Sequence, residues 1–211
     1  MYSISRIDLG SEQLKAAQKI RAEVYLRMGF LSESDLTDGL DIDEYDDRSI
    51  HIGAFDLLGE LVGTIRIIMP GPVDLSVEKL FGLTADKRSV EISRYAILEQ
   101  HRSLAVALGL CRAAYHEIEQ LGIDAMYAVL EQELLNDLLW LGFPFEILGG
   151  PKRVYNSLNY PTCCKHSEVI ACIHERDRKR PQKLAGYFEQ PFSFEEAMVY
   201  EELFSPTSGQ G

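Results

Sequence analysis

The chain has 211 residues, 46% of them hydrophobic and 26% charged, with a formal net charge of −12. Length and composition suit one globular domain with a sizeable core. The acidic balance argues against nucleic acid or an anionic membrane surface as the main partner, since both need a positive footprint. No apolar run reaches the length of a membrane span, and Met1 to Arg6 lacks a signal-peptide pattern, so a cytoplasmic location without stable membrane insertion is expected. Cys111, Cys163, Cys164 and Cys172 show no C-x-x-C spacing, and a bridge between the adjacent Cys163 and Cys164 would be strained. Cys163, Cys164 and His166 lack a fourth ligand at zinc spacing, so reduced thiols and no metal site are expected.

In chain order, Ser11 to Met28 reads as a helix, with Ser11 as N-cap, an apolar stripe through Leu14, Ala17, Ile20 and Val24, and Gly29 as its stop. Arg21 and Tyr25 share a face one turn apart. Residues 30–48 are acidic and aperiodic, a loop long enough to suggest a function. A hairpin follows, His51–Asp56 and Leu61–Ile68, with Arg66 inside its apolar return strand. After the Pro70-Gly71-Pro72 break, Ser76–Leu83 is a short helical piece. Val90–Ile97 alternates as a strand, with Val90, Ile92, Arg94 and Ala96 on one side and Glu91, Ser93, Tyr95 and Ile97 on the other. Ser103–Leu121 is a helix presenting Leu104, Ala107, Leu108, Cys111, Ala114, Tyr115 and Ile118 on one face. Asp124–Leu130 is a strand, Glu133–Leu141 a short helix stopped by Gly142, and Phe143–Leu148 and Glu168–His174 are further strands. Asp177–Phe204 is weakly helical, and Ser205–Gly211 is a frayed tail.

A carboxylate and two guanidinium groups inside apolar strands need either partners or a task. A structural ion pair would satisfy them, and so would an active-site strand. The motifs of other chemistries are missing: there is no G-x-S-x-G elbow, P-loop or G-x-G-x-x-G turn, and the five histidines do not pair at metal spacing.

Four pieces in collinear order resemble the GNAT acyltransferase superfamily and, within it, the acyl-homoserine lactone (autoinducer) synthases and N-acyl amino acid synthases. They are Arg21, Tyr25 and Phe30 on and after the first helix; Asp43-Glu44-Tyr45-Asp46, similar to a D-x-x-D motif; Gly63-Thr64-Ile65-Arg66; and Glu91-Ile92-Ser93-Arg94-Tyr95, similar to E-x-S-R-aromatic. The resemblance implies an α/β (α+β) three-layer fold, a central mixed sheet flanked by helices, with residues 1–174 as the acyltransferase domain and 175–211 as a helical extension and tail of the same domain. It implies attack of an amine on an acyl thioester. Glu91 is the candidate base. Backbone N–H groups near Tyr95 and Ala96 would meet the oxyanion, with Arg94 beside them. Arg66 and Arg94 would hold Asp43, Asp46 and Glu91 in an ion-pair network, while one of Arg21, Arg66 and Arg94 could instead grip a substrate carboxylate. Tyr25, Phe30 and Ser93 complete the expected substrate site. Val106, Met126, Ala128, Leu138 and Trp140, with Met69, are candidates for an acyl slot, though ordinary core packing explains each of them more readily.

Two departures refine this. Where the lactone synthases usually carry a tryptophan after the first helix, the chain has Phe30 or Leu31, which favours an amino-acid N-acyltransferase over a lactone synthase using S-adenosylmethionine. The turn Gln100-His101-Arg102-Ser103-Leu104-Ala105 lacks the glycines that wrap a CoA pyrophosphate. That favours the phosphopantetheine of an acyl carrier protein as donor over acyl-CoA, disfavours an acetyl-CoA N-acetyltransferase, and requires no permanently bound cofactor. An acidic carrier protein needs a local basic patch, for which Lys152, Arg153, Arg176, Arg178, Lys179, Arg180 and Lys183 are candidates.

Overall fold

Short runs rich in valine and isoleucine pair into one sheet. The computed structural model describes residues 1–154, 156–180, 183–195 and 197–200. The strands are β1 (Tyr2–Ile7), β2 (Ser49–Phe55), β3 (Leu61–Ile68), β4 (Ser89–Ile97), β5 (Ala125–Glu131), β6 (Glu146–Ile147), β7 (Lys152–Val154), β8 (Ser157–Lys165) and β9 (Met198–Val199). Their order is β6-β8-β5-β4-β3-β2-β1-β9, with β7 on β8. Every pairing is antiparallel except β4 with β5.

Among the described residues six helices cover the sheet. On one face lie α1 (Glu12–Arg27) and α2 (Ser76–Phe81); on the other lie α3 (Leu104–Gln120), α4 (Gln132–Leu141), α5 (His166–Asp177) and α6 (Ala185–Glu189). The result is a three-layer α/β fold. Because β3 is covered on both faces it reads as a nearly continuous apolar run, and all of it after Leu61 is buried. Helix starts follow from local chemistry. Ser11 Oγ accepts from Leu14 N at 3.1 Å, Ser103 Oγ accepts from Val106 N at 3.3 Å, and the Glu131 carboxylate accepts from Glu133 N at 3.1 Å.

Two irregularities in β4 position the site. The register pairs Thr64 with Ala96 and Arg66 with Ser93, so Ile65 faces two residues, Arg94 and Tyr95. This is a β-bulge, and Arg94 takes φ = +52° within it. The extra residue shifts the alternation. Tyr95 and Ile97 join Val90 and Ile92 on the α3 side, while Arg94 turns with Glu91 and Ser93 toward the α1 side and Ala96 packs on Ile20 and Val24. The strict alternation expected from the sequence therefore fails from Arg94 onward. The second irregularity is a parting of strands: β4 and β5 pair from Ser89–Ala125 to Ile92–Ala128, and both then run on without pairing.

Other departures from expectation have local causes. Glu168–His174 is helical, within α5, because its two buried residues, Val169 and Ile173, are four apart. Strand β8 carries Pro161 and Asn159, which read as loop; Asn159 instead uses its side chain to bond Val154 O and Ser157 O. Strand β1 was not anticipated, and of Phe143–Leu148 only Glu146–Ile147 pairs. In Asp177–Phe204 the described residues hold only α6 and β9 beyond the end of α5, and residues 201–211, including the expected tail, lie outside the described residues. Cys111, Cys163, Cys164 and Cys172 are unbridged. Among the described residues no helix is long and apolar enough to cross a membrane.

Gly142 ends α4 at φ = +101°, and a Cβ there would meet Ile173 Cα at 3.1 Å and Cys172 O at 3.3 Å. Gly142→Ala is expected to lower stability by about 1–3 kcal/mol through backbone strain, read by chemical denaturation.

Candidate active site

Where β4 leaves β5 the sheet opens, and a cavity of about 670 Å³ fills the gap. Its wall on the α3 side is the helix face anticipated from the sequence: Leu104, Ala107, Leu108, Cys111, Ala114, Tyr115 and Ile118 all line it. Val24, Tyr25, Met28 and Phe30 from the end of α1, Ser76 from α2, and Glu91 to Ile97 from β4 supply the other side. The cavity thus spans the sheet, apolar toward α3 and α4 and polar toward α1 and α2.

Behind the polar wall lies an interlocked set of three arginines and three aspartates. Arg21 in α1 reaches Asp46 through two contacts of 3.0 and 2.8 Å, and its Nε lies 3.0 Å from Asp41 Oδ2. Its Nη2, which bonds Asp46 Oδ2, also donates to the Asp41 carbonyl. Arg66 in β3 donates to both oxygens of Asp43 at 2.6 and 2.8 Å, to Asp46 at 2.7 Å and to Ser93 Oγ at 3.0 Å. Arg94 grips Asp41 at 2.7 and 3.1 Å and reaches Asp43 at 3.1 Å. The Arg21 and Arg66 side chains are 0% and 1% exposed, whereas Arg94 is 12% and Asp43 21% exposed. Solvent therefore reaches the set at Asp43 and Arg94.

Burial would push the Asp43 and Asp46 carboxyls up. Hydrogen bonds and charge from Arg66 on Asp43, and from Arg21 and Arg66 on Asp46, outweigh it and hold both below the usual carboxylate range. Burial pushes His51 down, so it is neutral at pH 7, and its Nε2 donates to Asp46 O at 3.0 Å. Tyr25 is pushed up to about 12 by burial. Its hydroxyl donates to Tyr95 O at 3.3 Å, and the Arg94 guanidinium lies 5.7 Å from its ring centre. Phe30 packs on the same ring at 5.9 Å.

Glu91 stands apart from this set, contrary to expectation. It is 1% exposed, and its Oε2 accepts from Val77 N at 2.9 Å, at the start of α2. Burial pushes its carboxyl up, against hydrogen bonds from Ser76 and Val77 and the charge of Arg66. Its place in the expected network is taken by Asp41, a residue the sequence reading passed over. The available signal was Gly39, a turn residue at φ = +77° two positions before it, which aims the chain back at α1.

The structure brings Glu91, Ser93, Arg94, Tyr95, Ala96, Tyr25 and Phe30 onto one cavity, with Arg21, Asp43, Asp46 and Arg66 behind them. Met126, Leu138 and Trp140 also line it. Val106, Ala128 and Met69 do not. Val106 sits on the side of α3 turned into the core, and Ala128 packs under α4. Among the described residues no group of three or more His, Cys, Asp or Glu side chains is arranged to hold a metal ion.

A three-layer fold, a bulged strand leaving its parallel neighbour, and an apolar cleft at the gap define a GNAT-like fold. Residues 16–168 match the family model described as N-acyl amino acid synthase FeeM. The chain belongs to that family, and it is an acyltransferase. No curated protein sequence matches it significantly. Solved structures share the fold. The CoA-dependent acyl-homoserine lactone synthase BjaI, with SAM and isopentyl-CoA, has a TM-score of 0.68 at 22% identity, over 87% of this chain and 92% of that one. FeeM, an N-acyl amino acid synthase from uncultured soil microbes, has a TM-score of 0.64 at 16% identity, over 82% and 94%. A candidate N-acetyltransferase from Lactobacillus plantarum has a TM-score of 0.57 at 13% identity, over 77% and 98%.

Asp46→Asn leaves Arg21 and Arg66 short of a buried counter-charge, and is expected to cost about 3–5 kcal/mol in chemical denaturation at pH 7. Because the folded-state value of Asp46 is depressed, its contribution is complete above the unfolded value and fades as pH falls through the folded one. The stability gap between wild type and Asp46→Asn should therefore stay constant above about pH 5 and shrink below about pH 4.

Proposed function

We propose that the enzyme moves a fatty acyl group from a carrier-protein phosphopantetheine thioester to the amine of an amino acid or similar small amine. The observation that carries this is the shared cavity: Glu91 and Arg94 open onto a space whose far walls are apolar. The amine nitrogen attacks the thioester carbon, giving a tetrahedral oxyanion; collapse expels the thiolate, which takes up a proton. Glu91 receives the proton of the ammonium, directly or through a water. Its buried position favours the neutral form, so it is a stronger base than an exposed glutamate. The backbone N–H of Tyr95 stabilises the oxyanion, that of Ala96 being turned to Thr64 in the β3 ladder. The bulge and the loss of the β5 ladder past Ile92 support this role. Tyr25, bonded to Tyr95 O, steadies that segment.

Arg94 is the arginine for a substrate carboxylate. It alone of the three lines the cavity, while Arg21 and Arg66 lie behind the aspartates they bind. Asp41 and Asp43 hold its fork in place from behind. The carrier-protein donor is supported by the start of α3. Ser103 caps it with its own side chain, and no glycine opens the backbone to a pyrophosphate. The candidate basic residues divide. Arg180 and Lys183 turn inward onto Asp177 and nearby carbonyls. Arg176, bonded to Leu139 O beside the exposed, cavity-lining Trp140, stays at the surface with Arg178 and Lys179 and suits an acidic carrier.

Glu91→Gln keeps an acceptor for Val77 N, so the fold should persist while turnover falls about 10²–10⁴-fold. The acid limb of the wild-type kcat/KM profile should lie above the ordinary glutamate value of 4.5 and be lost in the variant. Near-normal turnover of Glu91→Gln would remove this residue as base. Arg94→Lys should raise KM for amino-acid acceptors at least about tenfold, and for amines without a carboxylate much less. Equal effects on both would assign the carboxylate elsewhere. Faster release of thiol from acyl-CoA than from acyl carrier protein would overturn the donor assignment.

A further inference from the structure

The apolar part of the cavity has a definite length. Beside the intact β4–β5 pairs, Ser89–Ala125 to Ile92–Ala128, the sheet is closed, so a chain entering from the gap must run between the sheet and α3. Tyr95, the residue after the bulge, and Cys111, midway along α3, both line the cavity and pack on the same core cluster, which sets the level of the thioester along α3. At the other end Ile118, Met126, Leu141 and Phe143 line the space and are each at most 9% exposed. From Cys111 to Ile118 the helix advances about 10 Å. An extended alkyl chain advances roughly 1.25 Å per carbon, given 1.52 Å bonds and near-tetrahedral angles. The stretch therefore takes about eight carbons beyond the reacting end.

The end wall is braced from behind. Phe188 in α6 is 0% exposed and does not line the cavity. It meets Phe143 edge-on at 5.6 Å and Tyr115 edge-on at 5.9 Å, two residues that do. Tyr115 is further stacked on His166 at 4.2 Å, and His166 Nε2 donates to Tyr115 O at 3.1 Å. These rings cannot swing aside without breaking a packed aromatic layer.

We propose that the cavity is a ruler for saturated acyl chains of about eight to ten carbons, and that Phe188 is a positioning residue that fixes its end. The inference rests on the acyl-transfer reading above and names the donor class for that site. A donor two carbons too long must displace the end wall and should lose at least about tenfold in kcat/KM.

The full-length protein is given acyl-carrier-protein and acyl-CoA donors of about six to sixteen carbons, with an equimolar mixture of the twenty amino acids, and products are weighed by mass spectrometry. Donor binding is read separately as the thermal shift produced by acyl-pantetheines of the same lengths. Both readings should peak at about eight to ten carbons. Phe188→Leu should move the peak up by about two carbons, and Phe188→Met, which refills the volume, should restore it. If Phe188→Leu does not fold, Ile118→Val enlarges the same end from inside and should broaden the preference upward. Turnover that is equal for ten- and sixteen-carbon donors sinks the ruler and leaves the acyl-transfer reading standing. Absence of turnover with a binding peak at eight to ten carbons sinks that reading and leaves the ruler standing. An unmoved peak in Phe188→Leu and Ile118→Val overturns the assignment of the end wall.

Discussion

Arg21, Arg66 and Arg94 are compatible with an apolar interior only because Asp41, Asp43 and Asp46 come with them. Each guanidinium is shared between two carboxylates, and the six charges cancel as a set. Removing one member strands another in low dielectric, so the set behaves as a single unit. Its mechanical effect is to tie three stretches together. The acidic loop between α1 and β2 cannot bury an apolar face of its own, and it is held to α1 through Arg21, to β3 through Arg66 and to β4 through Arg94.

That tie explains how the polar wall of the cavity is built. Arg94 is held at a positive φ, an unfavourable backbone state for an arginine, and Asp41 and Asp43 are what hold it. The bulge that results moves Tyr95 to the α3 side and keeps Arg94 with Glu91. Two chemistries, an apolar slot and a charged wall, are thereby delivered by one strand. Glu91 is kept out of the ion-pair set by α2, whose Val77 N–H donates to its carboxylate.

The C-terminal third contributes by closing the apolar side. The helices α5 and α6 arrive after the strands that carry the motifs, and Phe188 and His166 brace rings that line the cleft. Residues beyond the four motifs thus shape the apolar part of the cavity, while motif residues, Tyr25, Glu91, Ser93 and Arg94 among them, line its other side.

The sequence by itself determined the hairpin, the α3 face that becomes the cavity wall, the cap at Ser11 and the presence of arginines that demand partners. Each is written in a local period or a neighbouring cap, so nearby residues suffice to read it. Only the tertiary structure decided that Asp41 joins Asp43 and Asp46 while Glu91 does not, that β4 gains a residue at Arg94, and that Val106 and Ala128 face the core. These depend on which residues meet across twenty to more than fifty positions of chain. A bulge changes the face of every side chain after it, and an ion pair selects its partner by distance in space. Neither leaves a mark in local periodicity.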